Sequence, residues 1–148
     1  MESDTLYEKD FYGWIYHHID LLRQGKLAEI DTELLIEELE GMAKRDRREL
    51  ISRLMILIAH LLKWQFQPEQ RSGSWRGSIR EQRIQIAQQL LESPSLKSHL
   101  VESIAKAYPD ALELASSETG LAFSVFPTIC PYQVTQLLDK EFYPDNRG

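Results

Sequence analysis

Residues 50–62 read LISRLMILIAHLL, and the fold class follows from their spacing. Leu50, Leu54, Leu57 and Leu61 recur at the i, i+4, i+7 period of an α-helix, and Ile51, Met55, Ile58 and Leu62 form a second ridge beside them. Two adjacent ridges make an apolar face wider than a surface helix carries, so this segment is expected to be the central, most buried helix. Pro68 closes it, because proline has no N–H to continue the hydrogen-bond ladder.

The same reasoning extends in both directions. Toward the C-terminus, the polar turn Arg71–Ser74 precedes a predicted helix over Trp75–Glu92, with Trp75, Ile79, Ile86 and Leu90 facing inward. Ser93 followed by Pro94 looks like an N-cap with proline at the first helical position, opening a helix through Leu96, Leu100, Ile104 and Ala107. Pro109 is expected to kink or restart that helix, and Gly120 to stop it. Residues 121–130 read as an extended apolar connection, and Pro131 opens a short helix ending before Pro144, with Leu137 and Leu138 inward.

Toward the N-terminus, a helix is predicted over Asp10–Gln24 and is ended by Gly25. Asp31 caps a second helix with apolar positions Leu35, Leu39 and Met42, which Gly41 weakens or kinks. No stretch sustains a period of two, and no repeat is evident. These elements make an all-α, single-domain helical bundle of about five or six helices over residues 1–148.

The composition, 43% hydrophobic and 27% charged, is that of an ordinary globular chain, long enough to bury a core without metals or disulfides. Cys130 is the single cysteine and suits a reducing cytoplasm. The first ten residues lack a basic segment followed by an apolar one, and the apolar run Leu54–Leu62 is far short of the ~20 residues a membrane span needs. The expectation is a soluble cytoplasmic protein without a membrane segment.

Net charge is −6, which argues against a generic nucleic-acid coat, but its distribution is uneven. Residues 1–43 carry −8, residues 44–83 carry +6 and residues 84–148 carry −4. Within the basic block, Lys63, Trp64, Arg71, Trp75, Arg76, Arg80 and Arg83 interleave cations with aromatic rings. That pattern suits phosphate contact plus base stacking, or an anionic protein partner. It equally suits internal pairing, because Arg76, Arg80 and Arg83 share the ridge spacing of Glu33, Glu37 and Glu40. The sequence leaves both readings open.

Glu33, Glu37 and Glu40 are also weak candidates for metal ligands, but no Glu-x-x-His motif accompanies them, and a solvated acidic face explains them more simply. No metal and no cofactor are expected. Arg53 precedes His60 by seven positions on one helical ridge, a spacing that resembles the motif of HEPN-type helical ribonucleases. Ten arginines and four histidines produce such a loose spacing by chance, and a histidine at a bundle seam explains His60 as well. Cys130 has no neighbouring base in sequence and reads as an apolar residue.

The stretches Tyr7–Trp14, Glu37–Glu40, His60–Glu69, Ser74–Arg76, Ile79–Arg83, Ser93–Leu96, Phe126–Pro127 and Cys130–Tyr132, in that order, carry a family resemblance. The chain resembles a bacterial family known as domain of unknown function 29, common in cyanobacteria and proteobacteria. The resemblance implies an all-helical domain and no assigned catalytic residue. With no reaction specified, the leading expectation is a non-enzymatic protein-interaction module, with self-association one form of it. The alternative is a HEPN-like ribonuclease or a nucleic-acid-binding domain using residues 53–83.

Overall fold

Capping by short polar side chains sets the first helices. The computed structural model describes the backbone of residues 2–145 and the side chains of residues 6–145. Helix α1 (Glu2–Lys9), for which the sequence offered no signal, precedes α2 (Phe11–Arg23). Asp10 caps α2, its Oδ1 accepting from the Gly13 N–H at 3.0 Å. Gly25 ends the segment with φ of 72°, and Gly120 does the same for a later helix at 75°; both lie in the left-handed region that only glycine enters without strain. Asp31 caps α3 (Thr32–Phe66) as expected, accepting from Leu34 N–H at 3.2 Å.

Helix α3 corrects the sequence reading of two successive helices. It runs unbroken for 35 residues. Gly41 does not interrupt it, because glycine, unlike proline, keeps its N–H, and costs only about 1 kcal/mol relative to alanine in a helix interior.

After a single 3₁₀ turn at Pro68–Gln70 comes α4 (Gly73–Glu92), capped by Ser72, which accepts from Trp75 N–H at 3.2 Å. Ser93 makes no side-chain cap, and residues Pro94–His99 form 3₁₀ turns, so α5 (Leu100–Thr119) starts later than its proline suggested. Pro109 neither stops nor restarts α5. Its ring sits at an exposed position while Ala107, Tyr108, Ala111 and Ala115 are buried, so the loss of one ladder bond is outweighed by burial on the other side. Residues 121–130 include a short 3₁₀ turn at Phe123–Val125, and α6 (Val134–Leu138) follows. Leu137 is fully buried, whereas Leu138 is exposed, contrary to expectation, because a five-residue helix can cover only one face.

The chain forms two compact units, Met1–Arg45 and Asp46–Gly148. In the first, Tyr7, Phe11, Trp14 and His18 form a continuous aromatic cluster with centroids 4.3–6.0 Å apart. His18 is buried, its Nε2 accepting from the Asp31 N–H at 3.2 Å. Nδ1 therefore carries the proton and donates to the Trp14 carbonyl at 3.2 Å, which ties α2 to the start of α3. The Tyr7 hydroxyl donates to Glu38 at 2.6 Å and fixes which side of α3 is covered.

In the second unit, Leu50, Leu54, Leu57, Ile58, Leu61 and Leu62 are all fully buried, so the stretch that decides the fold is indeed its core. Ile79 and Ile86 of α4, Ile104, Ala107 and Ala111 of α5, and Phe126, Tyr132 and Leu137 complete it. Among the described residues there is no strand, and no helix is long and apolar enough to cross a membrane.

Candidate functional site

The basic and aromatic block folds onto itself. Lys63, near the end of α3, is buried, and its ammonium donates to Glu118 of α5 at 2.6 Å while lying 4.8 Å from the Trp75 ring centre. Trp64 is only 7% exposed. Its ring meets Tyr143 at 4.9 Å and carries the guanidinium groups of Arg71 and Arg76, each 4.9 Å from its centre. Arg71 Nε also donates to the Trp64 carbonyl at 2.8 Å, closing the turn between α3 and α4. Arg76 lies 5.3 Å from the Tyr143 ring and Arg83 lies 5.7 Å from it, so the cations and rings alternate in one ladder.

Arg83 is buried, donating from Nε to the Leu137 carbonyl at 2.9 Å and from Nη2 to the Gln136 carbonyl at 3.0 Å. Burial lowers its pKa, against the opposing pull of Tyr143 and Asp139. Arg80 is exposed. Among the described residues, the ion pairs are Arg53–Glu49, Lys63–Glu118 and Lys106–Glu102, and none involves Arg76, Arg80 or Arg83. Ring faces and backbone carbonyls thus take the place of the carboxylates that the ridge spacing suggested for Arg76 and Arg83. Since Trp64 is covered by its own neighbours, its ring is not open for a base to stack on.

Open grooves of about 270 and 350 Å³ adjoin along α4 and share Arg83, Ala87 and Leu138. Their walls are mainly aliphatic, with Lys97, Arg80 and Lys140 at the rims.

His60 and Arg53 are each half-buried on α3. Arg53 Nη2 pairs with Glu49 one turn earlier at 3.4 Å. His60 Nδ1 lies 2.8 Å from the Ile56 carbonyl, so Nδ1 is the protonated nitrogen and Nε2 is left as the basic one. Burial holds the imidazole pKa below its ordinary value; the Ile56 carbonyl opposes this, Lys63 reinforces it, and Glu118 opposes it again. The unfolded chain therefore binds this proton at a higher pH than the folded chain. Stability contributed by neutral His60 is fully present above about pH 6.5 and is lost as pH falls below it. Urea midpoints measured between pH 7.5 and 5.5 should fall, and His60→Gln, which keeps a donor for Ile56, should flatten that fall. Equal slopes in the two proteins would contradict the assignment.

Cys130 is half-buried, its Sγ 3.6 Å from the Tyr132 carbonyl, and burial raises its pKa, as suits an apolar thiol. Glu33, Glu37 and Glu40 are exposed on α3, and among the described residues no three His, Cys, Asp or Glu side chains gather as a metal site would require.

Sequence reasoning missed two things. Tyr143 and Glu118, the partners of the basic block, lie 79 and 55 positions from Trp64 and Lys63, with no local signal to announce them. The second is apolar exposure in the first unit. Leu39 and Met42, expected inside, are 56% and 58% exposed, and Ile36 is 51% exposed; Phe11, Tyr12, Tyr16, Leu22 and Leu27 are exposed as well. Helical spacing marks an apolar ridge but not which ridge the rest of the unit covers; here Leu34, Leu35 and Glu38 are the partly covered positions, with Tyr7 bonded to Glu38, and Ile36, Leu39 and Met42 stay exposed.

Neither curated proteins nor solved structures give a match to this chain. A family model matches residues 6–143, nearly the whole chain and every element from α2 to α6, and the protein therefore belongs to the family described as domain of unknown function DUF29.

Proposed function

We propose that this protein is a non-enzymatic protein-interaction module whose working surface lies in the first unit. One observation carries the reading. Among the described residues of the first unit, eight large apolar or aromatic side chains are exposed, from Phe11 to Met42, whereas the buried ones are Trp14, His18 and Leu21. So much apolar surface concentrated in 45 residues is the signature of a face that another chain covers. The aromatic part of the basic block supports the same reading, since Lys63, Arg71, Arg76 and Arg83 are spent on rings, a carboxylate and backbone carbonyls of the chain itself.

A photo-reactive residue in place of Tyr12, used in producing cells, should yield one or a few discrete cross-linked proteins identifiable by mass spectrometry, this chain included. The same residue in place of Ser117, exposed on α5, serves as the control and should yield none. No cross-link above that control, or a specific turnover by purified protein abolished by one point substitution, overturns the proposal. The ribonuclease alternative on Arg53 and His60 predicts RNA cleavage that His60→Ala removes; on the present reading there is no cleavage to remove.

A further inference from the structure

Helix α4 presents an apolar stripe of its own to the outside. Arg80, Ile84, Ala87 and Leu91 stand at i, i+4, i+7 and i+11, within a sector of about 60° around the helix axis, and all four are exposed, Leu91 to 81%. They line the two adjoining grooves of about 270 and 350 Å³, which α6 walls with Leu138. Buried Arg83 lies where the grooves meet.

The charge around this stripe is one-sided. Arg80 and Lys140 border one groove and Lys97 the other, and among the described residues no Asp or Glu lines either, although the chain as a whole carries −6. These three cations are exposed and enter none of the ion pairs of the described residues. The acids of α4, Glu81 and Glu92, point about 90–110° away from the stripe. Asp139 is near enough to act on Arg83, but it lines neither groove, and its Oδ1 accepts from the Glu141 N–H at 2.9 Å. Arg83 Nη1 is buried without a hydrogen-bond partner, so positive charge at the base of the grooves is not fully compensated.

Such a groove selects among anions. Among the described residues no aromatic ring lines it, so a nucleic-acid base has nothing to stack on. It is open along its outer side, whereas small-molecule sites bury most of their ligand. From Arg80 to Leu91 it runs about 16 Å, close to three helical turns. A straight aliphatic stripe of that length between cations fits a helix whose own apolar ridge repeats at i, i+4 and i+7 and whose flanks are acidic. We propose that the groove between α4 and α6 binds an acidic amphipathic helix of a partner protein, its apolar side chains seated on Ile84, Ala87, Leu91 and Leu138 and its carboxylates facing Arg80, Lys97 and Lys140. Every residue of the groove belongs to the second unit, so this site is additional to the first-unit face and does not depend on it.

Phage selection on the immobilised full chain, from random peptides of about 15 residues, enough for four helical turns, tests it. Depleting the library beforehand on Arg80→Glu/Leu91→Ser/Lys140→Glu removes binders of every other surface, the first unit's included. The peptides that remain should be rich in Asp and Glu and should carry Leu, Ile or Met at i, i+3 or i+4, and i+7. By fluorescence anisotropy, the best of them should bind the triple variant at least about tenfold more weakly than the wild type, and added salt should weaken its binding to the wild type. Far-ultraviolet circular dichroism of the variant should be unchanged, since all three positions are exposed. The same peptide with its acidic residues changed to lysine should prefer Arg80→Glu/Lys140→Glu to the wild type.

No enrichment above the depleting variant, enrichment of basic or unpatterned peptides, or a charge-swapped peptide without preference for the reversed variant would each overturn the proposal. Displacement of the labelled peptide by equimolar dodecanoate would overturn it as well, marking the groove as a site for an acyl carboxylate. Cross-linking from position 12, repeated in the triple variant, should be unchanged, so the first-unit reading and this one fail separately.

Discussion

Replacing Arg83 with alanine should destabilise the second unit by about 3 kcal/mol, measured as the change in urea unfolding followed by circular dichroism at 222 nm. The guanidinium makes two charge-assisted hydrogen bonds to the carbonyls of Gln136 and Leu137, each worth about 1.5–3 kcal/mol. Alanine removes both donors at a buried position. It also removes the cation beside Tyr143. Arg83→Lys should recover only part of the loss, since one ammonium cannot reproduce two donors held in a planar fork. A loss below about 1 kcal/mol for Arg83→Ala would mean that α6 is held by Leu137 burial alone.

Trp64→Ala should be more damaging still, by about 4 kcal/mol in the same measurement, the range found when a large buried aromatic is truncated. The ring is packed against Tyr143, and two guanidinium groups rest on it, so its loss opens a cavity and strips Arg71 and Arg76 of their aromatic partner together. Trp64→Phe should restore more than half of the stability, because a smaller ring still fills part of the volume and still presents a face to the cations. If the phenylalanine variant were as unstable as the alanine one, the indole geometry rather than an aromatic face would be what the ladder requires.

These two effects explain why the basic block resists a functional reading from sequence. Cations interleaved with tryptophans are what a nucleic-acid groove displays, and also what a folded cation–π ladder displays. The difference lies in Tyr143, Gln136 and Leu137, whose positions relative to Trp64 and Arg83 are set by the path of the C-terminal segment. In the first unit the ambiguity runs the other way. Leu39 and Met42 have the helical spacing of core positions and are exposed, because the same periodicity describes a stripe covered by the chain's own elements and one left uncovered.

What the sequence alone determined was local: the all-α class, the buried face of residues 50–62, the cap at Asp31, and the stops at Gly25 and Gly120. Helical spacing, capping and left-handed glycines act over three or four residues, so the information is contiguous in the chain. The tertiary structure decided whether α3 runs through Gly41, whether Pro109 breaks α5, which cations are spent, and which apolar stripe is left uncovered. Each of those depends on burial against residues tens of positions away, which outweighs a local preference of about 1 kcal/mol and leaves no trace in local spacing.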